Sequence, residues 1–252
     1  MQHQVWNKKA ETFPRFVKGA EDTLEILDFF KQQGVDFRDK VIFDIGCGNG
    51  RFALELAFLA KKIIASDISE KMLYFLQEDA KKFGLKNIQV LHTDWVDFDK
   101  NACKIDENID IAFASMTPAL NNKQGFLKAL EVSEQGLCYV GWGRVRECAF
   151  LEKILAQHGN MLLLPKGLPD VLQWLDEEGY KQPIYQYKTA NFTYQAPIQK
   201  AIDDIVWHIT IHEGKPNMDC IQDYVHQNKK DGQITYTHSR EIGIAFIPKK
   251  NV

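Results

Sequence analysis

Three glycines alternate with other residues directly after a short apolar run, in the segment from Val41 to Ala57, VIFDIGCGNGRFALELA. The first part is typical of a buried strand, and the part after Gly50 has the apolar spacing of an amphipathic helix. Gly46 is expected to permit a tight turn, Gly48 to let a ligand approach the backbone, and Gly50 to allow close helix packing. A strand that turns directly into a helix in this way predicts an α/β fold that binds a ligand at the carboxyl ends of its strands.

The alternation of strand and helix continues beyond this segment. Apolar runs predict strands at 41–45, 62–67, 88–92, 109–115 and 138–142, and helical patterns predict helices at 51–60 and 69–84. Ser69 and Gly84 are suitable end residues for the second of these helices, as N-cap and C-terminal glycine. The strands are almost continuously apolar, which is expected when helices cover both faces of a parallel sheet. We therefore predict a Rossmann-like α/β sheet, mostly parallel with an antiparallel last strand.

The flanking regions are less regular. Before the sheet, helices are predicted at 6–16 and 21–33. After it, helices are predicted at 168–178, 198–208 and 219–228, and strands at 184–194, 234–238 and 242–248.

Acidic residues stand at or near the ends of the first three predicted strands. Asp44 precedes the first glycine and could accept hydrogen bonds from an amino group or from N–H groups of the turn. Asp67 has the position at which a carboxylate reaches a ribose, or it could simply begin an N-cap turn with Ser69. Asp94 could accept from an adenine amino group, and Trp95 could cover a purine face or pack in the core. Arg51 replaces the third glycine of the dinucleotide fingerprint G-x-G-x-x-G, which disfavours a nicotinamide dehydrogenase.

This ordered set, from the DIGCGNG turn to the run after the fourth strand, resembles the successive motifs of class I S-adenosylmethionine-dependent methyltransferases over about Trp6 to Gly143. The resemblance implies that the cofactor is S-adenosylmethionine, which leaves as S-adenosylhomocysteine. It also implies a contact for each part of the cofactor: Gly46, Cys47, Gly48 and Gly50 with Asp44 at the methionine part, Asp67 at the ribose, Asp94 and Trp95 at the adenine, and Ile68 and Met72 in apolar contact with both rings.

The segment after the fourth strand, Ala114 to Leu120, corresponds in such enzymes to the loop that lines the methyl-transfer site. Ser115 and Thr117 offer hydroxyl groups there, with Ser115 also placed next to the cofactor. The segment lacks the Asn/Asp-Pro-Pro-aromatic pattern of amino-group and adenine methyltransferases, and it could instead merely end the strand. After the fifth strand, Trp142 and Arg144, followed by Arg146, could orient an anionic substrate, or the arginines could be solvated surface charges.

The N-terminal pattern places Trp6, Ala10, Phe13 and Phe16 on one helical face. Such a face usually packs on a core. The resemblance implies a second role, a lid over the cofactor with Trp6 near the cofactor carboxylate. We accordingly expect one domain over 1–252, with a helical lid at 1–38, a cofactor-binding core at 39–145, and a substrate-side cap with the closing strands at 146–252. An oligomer interface is the alternative to the cap.

The charge balance bears on the substrate. The chain has 31 basic and 34 acidic side chains, a formal charge of −3, and its lysine pairs are scattered. These totals therefore give no indication of the broad cationic field that binds nucleic acid. We expect a small-molecule acceptor and no nucleic-acid or membrane partner, in a monomer or homodimer. The competing hypotheses are a methyltransferase acting on RNA or protein, and an inactive module that only binds the cofactor.

Location and metal content complete these expectations. The apolar stretch from Ala53 to Ala60 is far shorter than the roughly 20 residues that cross a bilayer, and the N-terminus lacks the pattern of a signal peptide. Five widely spaced cysteines are expected to be reduced, in a cytoplasmic protein. His208, His212 and Glu213 could bind a metal if helical, but HITIH alternates and no third ligand is clear, so no metal is predicted.

Overall fold

A seven-stranded sheet organises the computed structural model, which describes residues 2–211 and 214–250. The strands are β1 (Val41–Ile45), β2 (Lys62–Asp67), β3 (Ile88–His92), β4 (Ile111–Ser115), β5 (Gly136–Glu147), β6 (Tyr185–Pro197) and β7 (Gln233–Pro248). Their order is β3-β2-β1-β4-β5-β7-β6. The first five are parallel, and β7 is antiparallel to both β5 and β6. The predicted Rossmann-like sheet is confirmed.

Helices cover both faces of this sheet. They are α1 (Gln2–Ala10), α2 (Glu21–Gln32), α3 (Arg51–Ala57), α4 (Glu70–Lys82), α5 (Lys123–Glu131), α6 (Ala149–Gln157), α7 (Leu168–Glu177), α8 (Ile198–Ile211) and α9 (Met218–Asn228). Side chains of α2, α3 and α4 share one apolar cluster with the sheet, and those of α5 and α7 share the other. Across the described residues, no helix is both long and apolar enough to span a membrane.

The end residues of α4 explain its length. The Ser69 hydroxyl accepts a hydrogen bond from the Met72 N–H at 3.2 Å, which satisfies one of the free amides of the first turn. Gly84 follows the helix at φ +69°, a left-handed conformation that favours glycine. Between these ends, Leu73 and Leu76 are buried against the sheet. The prediction from Ser69 and Gly84 is confirmed.

The first helix is shorter than predicted, because α1 ends at Ala10 and the chain continues without helix to Gly19. Pro14 accounts for this, since proline lacks the N–H of a helix and disfavours helical backbone at the residue before it. Phe13 is 39% exposed, so the proposed continuous face does not form. Phe16 instead packs edge-on against Phe83, with ring centroids 5.3 Å apart.

The last two predicted strands form one. β7 runs without a break through 239–241, where each residue pairs with a residue of β6. Polar side chains are tolerated there because the two strands extend together past the carboxyl edge of the sheet, joined by the end of β5. We call this projecting part, residues 146–147 of β5, 189–197 of β6 and 233–241 of β7, the ribbon.

Helices α6, α8 and α9 pack on the ribbon around their own apolar cluster, which includes Ile154, Ile205, Ile221 and Ile234. Complete burial of such a side chain contributes about 1.5–3 kcal/mol. The HITI part of HITIH is helical within α8, contrary to the alternation expected from sequence. His212 and Glu213 lie outside the described residues. Of the three residues considered as metal ligands, the structure therefore describes only His208.

Candidate active site

The carboxyl ends of β1 to β4 meet at one edge of the sheet. Registers place Ile45 beside both Ser66 and Ala114, and Asp67 beside His92. The glycine turn, Asp67 and the loop after β4 are therefore neighbours in space, as expected for a parallel α/β sheet.

The glycine turn is open at its middle residue. Gly46, Gly48 and Gly50 all have positive φ, at +66°, +55° and +93°. A Cβ added to Gly48 would meet no atom within 4 Å, which leaves its backbone open to a ligand. A Cβ on Gly50 would lie 2.8 Å from the Leu76 side chain, so the predicted close helix packing is confirmed. Cys47 is buried between them, and its N–H donates to the Ser66 carbonyl at 2.9 Å.

Two carboxyl groups, the buried Asp44 and the half-buried Asp67, lie beneath this turn. Asp44 is 3% exposed and accepts a hydrogen bond from the Ala53 N–H, in the first turn of α3. Burial, followed by the negative charge of Asp67, raises the pKa of Asp44 to about 7. Burial, followed by the charges of Asp67 and Asp44, raises the pKa of the Cys47 thiol, which therefore stays protonated. Two acidic groups so placed favour a ligand that carries positive charge.

Asp67 supports the turn directly. One of its oxygens accepts from the Gly48 N–H at 2.9 Å and the other from the Ser69 N–H at 2.8 Å. The N-cap turn considered as an alternative is therefore present. Each carboxylate oxygen has a second lone pair, so these bonds leave acceptor capacity for hydroxyl groups.

The residues expected near the adenine differ in how deeply they are buried. Ile68 is half-buried beside Asp67, and Met72 is 2% exposed in the first turn of α4. Asp94 is half-buried and accepts from the Val96 N–H at 3.1 Å.

The indole of Trp95 lies in the core. It is 4% exposed, stacks on Phe98 with centroids 5.1 Å apart, and donates its N–H to the Gly125 carbonyl at 2.9 Å. The packing considered as an alternative for Trp95 is therefore present.

The loop after β4 closes against the glycine turn. Met116 has φ +49°, a strained conformation for a residue with a side chain, and its N–H donates to the Val140 carbonyl at 2.7 Å. The Thr117 hydroxyl accepts from the Ala119 N–H at 3.2 Å, at the start of the short 3-10 helix Pro118–Leu120. Ser115 is the last residue of β4 and is half-buried. The loop thus both ends the strand and lines the carboxyl edge.

Helix α1 crosses this edge. The Asn7 side-chain oxygen accepts from the Ser69 hydroxyl at 2.6 Å and from the Lys71 N–H at 3.2 Å, at the start of α4. At the other side, Trp6 meets Trp207 of α8 edge-on, with centroids 5.7 Å apart. Lys9 pairs with Asp204 of α8 at 2.9 Å. Helix α1 therefore joins the start of α4 to the helices on the ribbon.

Arg144, which was expected to face a substrate, forms an ion pair with Glu241, and its side chain is 61% exposed. Its guanidinium donates to both oxygens of Glu241, at 2.8 Å and 2.7 Å, and covers the Tyr187 ring at 4.2 Å. Glu241 is 4% exposed, and this partner lowers its pKa to about 2. The pair stabilises the fold because a buried carboxylate requires such a partner. Trp142 is half-buried and lies under Arg146, 4.9 Å from its guanidinium.

Several contributing residues were missed from sequence. Asn49 is 3% exposed and donates its side-chain amide to the Pro14 carbonyl, which anchors the segment after α1 on the turn. Asn7, Trp207 and Glu241 hold elements that are distant in the chain. No local pattern marks such residues, although an Asn inside the glycine turn was a visible signal.

Comparison with known proteins identifies the family. A family model described as a methyltransferase domain matches residues 36–162, half of the chain. The chain belongs to this methyltransferase family. It is a class I S-adenosylmethionine-dependent methyltransferase, and its cofactor is S-adenosylmethionine. The recognition from the sequence motifs is thus confirmed.

Relatives and solved structures agree with this assignment. The methyltransferase is 26% identical to an uncharacterized protein of Haemophilus influenzae over 220 residues, 86% of this chain and 71% of that protein. It is 30% identical to the release factor glutamine methyltransferase of Borreliella burgdorferi over 131 residues, 51% of this chain and 43% of that enzyme. The fold matches a candidate methyltransferase of Bacillus halodurans C-125, with TM-score 0.56, 16% identity, and coverage of 90% and 99% of the two chains. The YcgJ protein of Bacillus subtilis matches with TM-score 0.55, 13% identity and the same coverage.

The site of this methyltransferase fits its cofactor. The cofactor carries an amino group and a sulfonium, both positive, and a ribose diol. Asp44, which is buried, and Asp67, which is half-buried, place two acidic groups beside the open backbone of Gly48, where the positive groups of such a ligand fit.

Proposed function

We propose that this methyltransferase methylates a small molecule by direct in-line displacement. The observation that carries the proposal is the contact between α1 and α8, where Trp6 meets Trp207 and Lys9 pairs with Asp204. The start of α4 and the helices on the ribbon both lie at the carboxyl edge, so α1 roofs the site between them. A roofed site suits a small acceptor better than a folded macromolecule.

The cofactor supplies a methyl group on a positively charged sulfur. The protein's own tasks are then to bind, to orient and to exclude water. We assign Gly46 to Gly50 with Asp44 to the methionine part, Asp67 to the ribose hydroxyls, Ile68 and Met72 to the apolar contacts, and Asp94 to the adenine amino group. Trp6 in α1 closes the site. Ser115 and Thr117 line the acceptor side at the end of β4.

The region after residue 145 is proposed as the substrate cap. Its helices pack on the ribbon that projects past the carboxyl edge, which is the side where the acceptor must enter. The free thiols of all five cysteines support a reducing, cytoplasmic location.

Methyl incorporation tests the proposal. The purified protein is incubated with S-adenosylmethionine labelled in the methyl group and, separately, with metabolites, RNA and proteins extracted from cells. Label in the metabolite fraction, abolished by Asp67→Ala, is expected. Label in RNA or protein with none in metabolites would refute the small-molecule acceptor. Binding of the cofactor without transfer to any fraction would favour an inactive binding module.

A further inference from the structure

Two arginines face each other across neighbouring strands of the ribbon. Arg146 of β5 and Arg240 of β7 are direct partners in the antiparallel ladder, just after an irregularity in β5. Directly paired residues project from the same face with Cβ atoms about 4.5–5.5 Å apart, and like charges so placed repel. This arrangement costs stability unless something negative offsets it.

No carboxylate among the described residues forms an ion pair with either arginine. Arg146 donates to the Leu163 carbonyl at 2.6 Å, and Arg240 lies over the Phe192 ring, 4.5 Å from its centroid. The acidic side chain whose charge influences Arg240 is Asp22, which is already paired with Arg51 at 2.8 Å. Arg144, by contrast, has its own carboxylate in Glu241.

The surroundings of the pair are aromatic and partly shielded from water. Arg146 covers the Trp142 ring, and Phe192 stacks on His238 with centroids 5.1 Å apart and planes at 17°. Burial, followed by neighbouring positive charge, lowers the pKa of His238, and the charges that do so are Arg240 and Arg146. An anion placed here meets two guanidinium groups and flat apolar surfaces.

The pair also lies on the acceptor side of the proposed site. Trp142 lies two residues after Val140, whose carbonyl accepts a hydrogen bond from the Met116 N–H in the loop after β4. Burial, followed by the charge of Arg51, lowers the pKa of Arg240, and Arg51 begins α3 directly after the glycine turn. Arg146 therefore packs on a residue close to the contact with the loop after β4, and Arg240 lies within electrostatic reach of the start of α3.

We infer that Arg146 and Arg240 bind an oxyanion of the methyl acceptor, a carboxylate or a phosphate, while Trp142 and Phe192 contact its flat apolar part. The inference rests on the proposed function, because it names the acceptor class of the same site. A guanidinium pair suits this role since its planar N–H groups bind carboxylates and phosphates through two hydrogen bonds at once.

Calorimetric titration with two probes tests the inference. Benzoate presents a carboxylate and phenyl phosphate a phosphate, each on an aromatic ring. Both are titrated into the full chain, free and saturated with S-adenosylhomocysteine, at constant ionic strength. Arg240→Gln and Arg146→Gln are expected to weaken the better probe by about tenfold or more, which corresponds to at least 1.4 kcal/mol. Arg240→Lys keeps the charge, loses the planar group and should show an intermediate loss.

The matched control is Arg38→Gln, which removes the same charge from an exposed pair with Asp36. It should bind the probes like the wild type. Equal probe affinity in all variants, or no probe binding by the wild type, would overturn the oxyanion site. A short RNA oligonucleotide serves as a third probe. If the variants weakened binding of the oligonucleotide alone, the small-acceptor assignment would be wrong.

Cofactor binding separates this inference from the proposed function. S-adenosylhomocysteine affinity should stay within about twofold of wild type in Arg240→Gln. A tenfold loss of that affinity with unchanged adenosine affinity would show that the pair holds the cofactor carboxylate, which overturns the inference. Failure of the wild type to bind S-adenosylhomocysteine would instead refute the proposed function, whatever the probes do.

Thermal unfolding gives an independent readout. At low ionic strength, Arg240→Gln should unfold at a higher temperature than Arg38→Gln, because it removes the like-charge repulsion. The better probe should raise the unfolding temperature of the wild type and of Arg38→Gln, but not of Arg240→Gln. A lower unfolding temperature for Arg240→Gln without probe, together with an unchanged response to the probe, would contradict the inference.

Discussion

The Thr117 side chain lies directly against the α-carbon of Gly46. A Cβ added to Gly46 would be 2.0 Å from the Thr117 hydroxyl oxygen and 2.7 Å from its Cβ. The glycine turn and the loop after β4 thus touch where two neighbouring strands end. Glycine is required here both for the left-handed φ and for this close approach.

We expect Gly46→Ala to destabilise the fold by about 1–3 kcal/mol, because the alanine adds overlap with Thr117 to the strain of a positive φ. Gly159→Ala is the matched control, since Gly159 has φ +69° and no atom within 4 Å of an added Cβ. Denaturant unfolding of both variants measures the difference. Thr117→Ala should recover part of the loss in the double variant, and equal stability of the Gly46 and Gly159 variants would contradict the contact.

Gly48→Ala should behave differently. An added Cβ there meets no protein atom, so its effect on stability should match that of Gly159→Ala. It would point into the space assigned to the cofactor, and affinity for S-adenosylhomocysteine should fall by about tenfold or more. Titration calorimetry measures this. Wild-type affinity in Gly48→Ala would remove the glycine turn from the proposed cofactor site.

The pKa of Asp44 predicts a pH dependence. Its folded-state pKa of about 7 is above the unfolded value of about 4, so the stability linked to its protonated form is present in acid and is lost between about pH 4 and pH 7. Without cofactor, this loss should be absent in Asp44→Asn. A cationic ligand favours the ionised form, so wild-type affinity for S-adenosylmethionine should rise with pH towards and past 7. A difference in the free energy of unfolding between wild type and Asp44→Asn that does not change with pH would contradict the raised pKa of Asp44.

Asp67 supports the turn and is assigned to the ribose, and a double-mutant cycle separates the two roles. Asp67→Ala should weaken S-adenosylhomocysteine binding by about tenfold or more, since it loses both. The 2′-deoxy analogue of the ligand should bind less tightly than the parent to the wild type and equally well to Asp67→Ala. Similar discrimination by both proteins would leave Asp67 only its hydrogen bonds to Gly48 and Ser69.

Arg144→Gln should lower the free energy of unfolding by about 1–3 kcal/mol, because Glu241 remains buried with its charge poorly paired. The folded pKa of Glu241, about 2, is below its unfolded value, so the stabilisation is present above the unfolded value and disappears as the pH falls. Unfolding at neutral and acidic pH measures both effects. Unchanged S-adenosylhomocysteine affinity is expected, and a stability loss that persists in acid would contradict the ion pair.

Trp6→Ala should speed the release of S-adenosylhomocysteine, because α1 would lose its contact with Trp207. Phe13→Ala is the control, since Phe13 is an exposed aromatic residue beyond the end of α1. Stopped-flow displacement of the bound ligand measures the rates. Identical rates in both variants would show that α1 does not close the site.

The sequence by itself determined the cofactor-binding half of this protein. Strand and helix periods, the glycine spacing and the caps Ser69 and Gly84 are local properties, and parallel strands must bring their carboxyl ends together. The positions of Gly48, Asp44 and Asp67 at one edge therefore followed from the chain alone.

Only the tertiary structure decided what each remaining side chain touches. Trp95 and Arg144 were predicted as ligand contacts because an indole and a guanidinium suit such roles. The folded chain adds the stacking of Trp95 on Phe98 and the ion pair of Arg144 with Glu241, which no local pattern marks. The pairing of Arg146 with Arg240 depends on the register of strands distant in sequence, and a register shift of one residue would place them on opposite faces. Long-range register and burial have no local sequence signature, so these contacts could be known only from the folded chain.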